Sequence, residues 1–170
     1  MDKKKNDTVN IIVKKAHYLV FELGDKAFAL PLEAVRRVVH AVYVTLLPKT
    51  PEIVCGIINY KGEILPVIDI SKRFLLSTRE IEPDRHFIIV NAKNKSYCLL
   101  GDDLIGVTQI ESENIVSPSE IIAGVEFLSG VIKLQDGIML IPDLEHILTY
   151  EEEKILNSAV HKKDTGKDAS

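Results

Sequence analysis

Tryptophan is absent from this chain of 170 residues, and cysteine, present twice, is nearly so. Two cysteines cannot make a disulfide framework, so Cys55 and Cys98 read as small buried thiols of a reducing compartment. No apolar run approaches the ~18 residues that cross a bilayer. Met1–Asn10 is polar and Lys-rich rather than leader-like. A basic balance is missing too: the net charge is −4, whereas phosphate binding wants a cationic face. These absences lead us to expect a soluble cytoplasmic protein with no nucleic-acid partner and no membrane insertion.

The constellations of catalysis are also lacking. His17, His40, His86, His146 and His161 never fall at metal-ligand spacing from one another or from a cysteine. Asp143 and His146 read as a cap and a surface histidine, and Gly101-Asp102-Asp103 reads as a turn facing water rather than a cation site. No Gly-rich phosphate loop is present, and no Gly-x-Ser-x-Gly elbow. The expectation is no enzyme: no catalytic residue, no cofactor and no metal.

What the chain does have is apolar residues at 46% beside charged ones at 27%, a globular balance. A chain of this length buries roughly two thirds of its unfolded surface and folds without staples. Its centre is Gly56 to Ile70. Two apolar runs there flank Tyr60-Lys61-Gly62-Glu63, a Gly-containing hairpin turn, and Asp69 or Ser71 can cap a short helical turn at 71–76. The stretch occurs twice. Gly130 to Leu144 aligns with it without a gap, matching Gly56 to Gly130, Ile58 to Ile132, Ile64 to Ile138, Asp69 to Asp143 and Ile70 to Leu144, while the proline moves from Pro66 to Pro142. A second segment repeats in the same order. Tyr18–His40 slides onto Phe87–Gln109 with Asp25 on Asn94, Phe28 on Tyr97, Leu30 on Leu99, Val35 on Leu104 and Val38 on Val107. Two segments in register indicate an internal duplication.

Each copy carries about five short strands, enough for a small closed barrel. Runs such as 64–70 and 86–92 are apolar on both faces, as expected of strands lying between their own core and a partner barrel. Phe21, Phe28, Ile64, Ile68, Phe87 and Ile138 should be buried. Leu144, Ile147, Leu148 and Ile155 have helical spacing, which predicts a C-terminal helix over 144–156. Arg36, Arg37, Lys61 and Glu63 stand beside apolar strand positions. They are either solvated edge charges that block strand pairing or the rim of an apolar groove where a protein docks.

Leu19-Val-Phe-Glu-Leu-Gly24, Phe28 to Val39, and Gly56-Ile-Ile-Asn59-Tyr-Lys61-Gly62 followed by Pro66-Val-Ile-Asp69 closely resemble CheW-like coupling proteins of chemosensory systems. The resemblance runs from about Tyr18 to Tyr150. It implies an all-β fold of two SH3-like five-stranded barrels packed together, with short helices including a C-terminal one. It also implies a non-catalytic adaptor joining the cytoplasmic tip of a chemoreceptor to the regulatory domain of the histidine kinase CheA. On that basis residues 1–16 form a disordered tail and 17–150 the domain, with subdomains 17–82 and 83–150. Residues 151–160 end the C-terminal helix, and 161–170 form a second disordered tail. Carried over by motif, the partner-binding residues are Val35, Arg37, Val39, Gly56, Ile58, Asn59, Lys61 and Gly62. Many family members have an acid where Arg37 stands and arginine where Lys61 stands, which points to an auxiliary or divergent member. The alternative from another class is a stand-alone sensing or inhibitory module, in which Arg37 and Lys61 hold a small anion between the barrels.

Overall fold

The computed structural model describes residues 14–164 apart from Thr78 and Ile122. Residues 1–13 of the tail expected at 1–16, and the last residues of the other, 165–170, lie outside the described residues. The first copy contributes β1 (Lys15–Leu23), β2 (Lys26–Pro31), β3 (Val35–His40), β4 (Val54–Tyr60) and β5 (Glu63–Ile68). The second contributes β6 (His86–Ala92), β7 (Lys95–Gly101), β8 (Leu104–Glu111), the two-residue β9 (Ile115–Val116), β10 (Leu128–Leu134) and β11 (Gly137–Pro142). A single helical turn, α1 (Pro118–Ile121), precedes β10, and α2 (Tyr150–Asp164) closes the chain. Lys15 and Ala16, assigned from sequence to the tail, are strand, and α2 continues past 160.

The strands form two sheets, ordered β8-β1-β2-β11-β10-β9 and β3-β6-β7-β5-β4. Membership does not follow the halves 17–82 and 83–150. Hairpin β1–β2 joins the last strands of the second copy, and hairpin β6–β7 joins the last strands of the first. The two copies have exchanged their leading hairpins, which ties the barrels together covalently and by hydrogen bonds.

The strand registers repeat with the sequence. Leu19 pairs with Val107, and its counterpart Ile88 pairs with Val38. Val54–Ile68 followed by Gly56–Val67 is matched by Leu128–Pro142 followed by Gly130–Ile141, so each copy has a bulge before its glycine. The bulge at Arg36 recurs at Ile105.

Side chains gather in three clusters. One lies inside the six-stranded sheet, around Tyr18, Val20, Ala29, Ile132, Met139 and Ile141. Its counterpart in the five-stranded sheet holds Phe87, Ile89, Cys98, Ile58, Leu65 and Val67. The largest, with Leu19, Phe21, Phe28, Ile68, Ile88, Val90, Tyr97 and Leu99, fills the space between the barrels. Strand β6 therefore serves two cores, Phe87 and Ile89 on one side and Ile88 and Val90 on the other. Ile64 and Ile138 correct the expected core, being 43% and 54% exposed. Both occupy the same position in the repeat, and their neighbours Leu65 and Met139 point inward instead.

Helix α2 starts later than the apolar spacing predicts. Leu144, Ile147 and Leu148 are buried in a non-helical approach, and Ile155 is exposed while Leu156 packs on the inter-barrel cluster. A capping box sets the start: the Glu152 N–H donates to Thr149 Oγ1 at 3.2 Å, and the Thr149 N–H donates to Glu152 Oε2 at 2.9 Å. Glu152 also pairs with Arg73, and Glu153 with Lys95. Burial alone would raise the Glu152 pKa, but the hydrogen bonds from Arg73 and Thr149 outweigh it and hold it below the usual value. A depressed carboxylate pKa stabilises above the unfolded-chain value of about 4.3 and loses that stabilisation as pH falls through the folded one. Acidification below about pH 4 should thus loosen α2 first. The check is hydrogen exchange at 150–160 rising before that of β6 and β7; uniform exchange across the chain would show that the carboxylate does not hold the helix.

Candidate protein-docking surface

The eight residues singled out for partner binding separate into two groups. Four shape the hairpin itself. Gly56 is buried at φ 149°, and a Cβ there would lie 2.4 Å from Thr45 O and 2.6 Å from Val44 Cγ1. The segment after β3 crosses at that point, where Thr45 and Ile57 exchange backbone hydrogen bonds at 2.9 Å. Only glycine leaves room for this crossing. Ile58 is buried in the five-stranded barrel. The Gly62 N–H donates to Asn59 Oδ1 at 2.9 Å, fastening a turn in which Lys61 (φ 51°) and Gly62 (φ 88°) are both left-handed, the geometry that matches strand twist in a two-residue hairpin. Much of the Gly-x-x-Asn-x-x-Gly motif is therefore architecture.

The other four lie on or near the surface. Val35 and Val39 are half-buried, and Arg37 and Lys61 are exposed. The bulge at Arg36 separates Val35 from the rest: it packs against the inter-barrel cluster, whereas Val39 meets the cluster that contains Ile58. Strand β3 is a terminal strand of its sheet and β4 is the other. Arg36 reaches Glu63 Oε2 at 2.8 Å and Ser96 Oγ at 3.3 Å, so the edge charges Arg36 and Glu63 neutralise each other. Arg37 and Lys61 have no acidic partner among the described residues; Lys61 Nζ stands 5.5 Å from the Tyr60 ring centre. Two unpaired cations thus remain at this end of the barrel.

Sequence reasoning did not select Val42, Tyr43 and Leu46, which leave the end of β3 and are exposed, Tyr43 to 87%. Their signal was apolar side chains in the run that leads up to Pro48. On β8, Leu104, Ile105 and Val107 are exposed where β3 carries Val35, Arg36 and Val38, so one barrel edge is basic and the other apolar. The space between the barrels is filled by side chains. Open grooves flank α2 instead, among them one of about 460 Å³ beside Pro48, Lys49 and Ile155 and one of about 280 Å³ beside Ile64, Tyr97 and Leu156. Arg37 and Lys61 line neither.

Asp102 departs from the expected solvent-facing turn. It lies beside buried Arg85 and accepts from the Gly24 N–H at 2.9 Å. Burial pushes the Cys55 thiol up to about 11 and raises Cys98 as well, so both remain protonated near neutral pH. No helix among the described residues is long and apolar enough to cross a membrane.

Residues 17–152 match the family model described as a CheW-like domain. The chain belongs to the CheW-like family. Chemotaxis protein CheW of Treponema pallidum is 27% identical over 146 residues, covering 82% of this chain and 86% of that protein. Its namesake in Rhizobium meliloti is 30% identical over 138 residues, covering 79% and 88%. The crystal structure of the scaffolding protein TtCheW from Thermoanaerobacter tengcongensis superposes with a TM-score of 0.72 at 30% identity, covering 82% of this chain and 96% of that one. The fold is the all-β, SH3-like arrangement of CheW, and the chain is a non-catalytic scaffold of chemotaxis signalling.

Proposed function

We propose that this chain is a cytoplasmic adaptor that couples the cytoplasmic tip of a chemoreceptor to the regulatory domain of the histidine kinase CheA, and that the β3 edge with the β4–β5 turn selects the partner. The observation that carries the reading is the pair of uncommitted cations, Arg37 and Lys61, beside exposed apolar side chains. Apolar contacts supply affinity, and rim charges choose the partner and speed its approach. Val39, Tyr43 and Leu46 supply the apolar part here. With both rim charges positive, the matching surface should present carboxylates. A scaffold whose corresponding residue is acidic would ask for the reverse, which is how a divergent adaptor can serve its own receptor.

Lys61→Glu and Arg37→Glu should each weaken association with the cognate receptor tip or kinase domain by about 1–3 kcal/mol. The melting temperature should hold, because both side chains are exposed and without acidic partners. Titration calorimetry at two salt concentrations checks this, since a charge-steered contact weakens with salt. Unchanged affinity in both variants would move the interface to the apolar β8 edge at Leu104, Ile105 and Val107. Binding of a small anion with a rise in melting temperature that Lys61→Glu abolishes would favour the sensing module instead.

A further inference from the structure

We propose that His40 and His86 form a surface chelate for a divalent transition-metal ion. The two are remote in sequence, yet they stand directly opposite each other on β3 and β6. The Ala41 N–H donates to Arg85 O at 2.9 Å, which makes His40–His86 the adjoining non-hydrogen-bonded pair, where facing side chains of antiparallel strands come closest. Their ring centres are 5.1 Å apart with planes 34° from one another. Bonds of about 2.0–2.1 Å from imidazole nitrogen to metal ask for nitrogens about 3 Å apart, which ring rotation at the exposed His40 can bring about.

The His86 ring is already held as a ligand requires. Its Nδ1 lies 3.0 Å from the carbonyl oxygen of Asp102. A carbonyl only accepts, so the proton sits on Nδ1 and the lone pair on Nε2 is free. Anchoring a histidine by its other ring N–H is the outer-shell arrangement that orients metal ligands. Asp102 is fixed in turn, through Gly24 and Arg85. The nearby guanidinium charges are matched by acids, Arg85 by Asp102, and Arg79 by Asp84 and Glu82, so they do not leave a net cationic field against the ion. No group of three or more His, Cys, Asp or Glu gathers among the described residues. The site is thus a two-point chelate with water in the remaining positions, and imidazole donors suit Ni2+, Cu2+ or Zn2+ rather than Mg2+ or Ca2+. Bound metal would clip the terminal strand β3, which carries Arg37 and Val39, onto its neighbour.

The test is calorimetric titration of the untagged full chain with Ni2+, paired with melting curves, and it needs no partner protein. Wild type should bind one equivalent and melt higher with the metal. His40→Gln should weaken binding about tenfold or more and remove the metal-dependent rise, while His17→Gln and His146→Gln should match wild type. His86→Gln should behave like His40→Gln, and if it folds poorly the exposed His40 variant carries the result. No uptake by wild type, or one-equivalent binding that survives His40→Gln, would overturn the proposal.

Discussion

Phe28→Ala should cost about 3–5 kcal/mol of stability, seen as a large fall in the urea midpoint at an unchanged slope. Phe28 has no solvent exposure and stacks on Phe21 at 5.6 Å and meets Phe74 at 5.3 Å between ring centres. It stands where β2 pairs in parallel with β11, in the cluster that both barrels share. Truncating it empties the joint between the barrels rather than the inside of one, and the exchanged hairpins leave neither barrel able to close around the gap independently. Ile64→Ala is the control. At 43% exposure it removes little buried surface and should cost under about 1 kcal/mol. Equal effects from the two would mean that the inter-barrel cluster is not the principal core.

The contrast between Phe28 and Ile64 also shows what sequence can reveal. Alternation over 18–32 marks Phe21, Phe28 and Leu30 as inward because Glu22, Ala29 and Pro31 stand between the large apolar side chains. From Ile64 to Ile70 nearly every position is apolar, and period two then names no face. The duplication was legible because two ungapped segments agree in order, and the paired strands, including both bulges, keep that alignment. The exchange of hairpins was not. Which copy β1 pairs with depends on contacts across most of the chain, and nothing local distinguishes Leu19–Val107 from a pairing within its own copy. At α2 two local signals competed. Leu144, Ile147 and Leu148 have helical spacing because they approach the core from one side, whereas Thr149-x-x-Glu152 satisfies the backbone donors that any helix start exposes. The capping box decided the boundary. In the docking surface, sequence reasoning singled out Arg37 and Lys61 together with Gly56, Asn59 and Gly62, and the structural part of the last three was not legible in the motif. The Asn59 side chain and the Gly62 N–H fasten the turn, and Gly56 leaves room for the crossing at Thr45.

Asp102→Ala should be as damaging as the loss of Phe28, at about 3–5 kcal/mol, although its side chain is small and lies in a turn. Arg85 is 1% exposed. Its Nε is 2.9 Å from Asp102 Oδ1, yet the N–H is not aimed to make a hydrogen bond, so the contact is one of charge. Nη1 is satisfied by the carbonyl oxygens of Arg79 at 2.8 Å and Glu80 at 3.4 Å. Removing Asp102 leaves the buried guanidinium without its ion-pair partner and takes away the carboxylate that accepts from the Gly24 N–H. Asp102→Asn separates the two losses, since the amide oxygen can still accept from Gly24 while the charge is gone. If charge dominates, Asn should approach the cost of Ala; if the Gly24 bond dominates, Asn should stay near wild type. Pairing Asp102→Ala with Arg85→Met provides the decisive comparison. Removing both charges should recover much of the loss, because an apolar pair of similar volume needs no counter-ion. A double variant no more stable than Asp102→Ala alone would place the cost in the turn geometry instead, at the point where β7 leaves the joint and β8 begins.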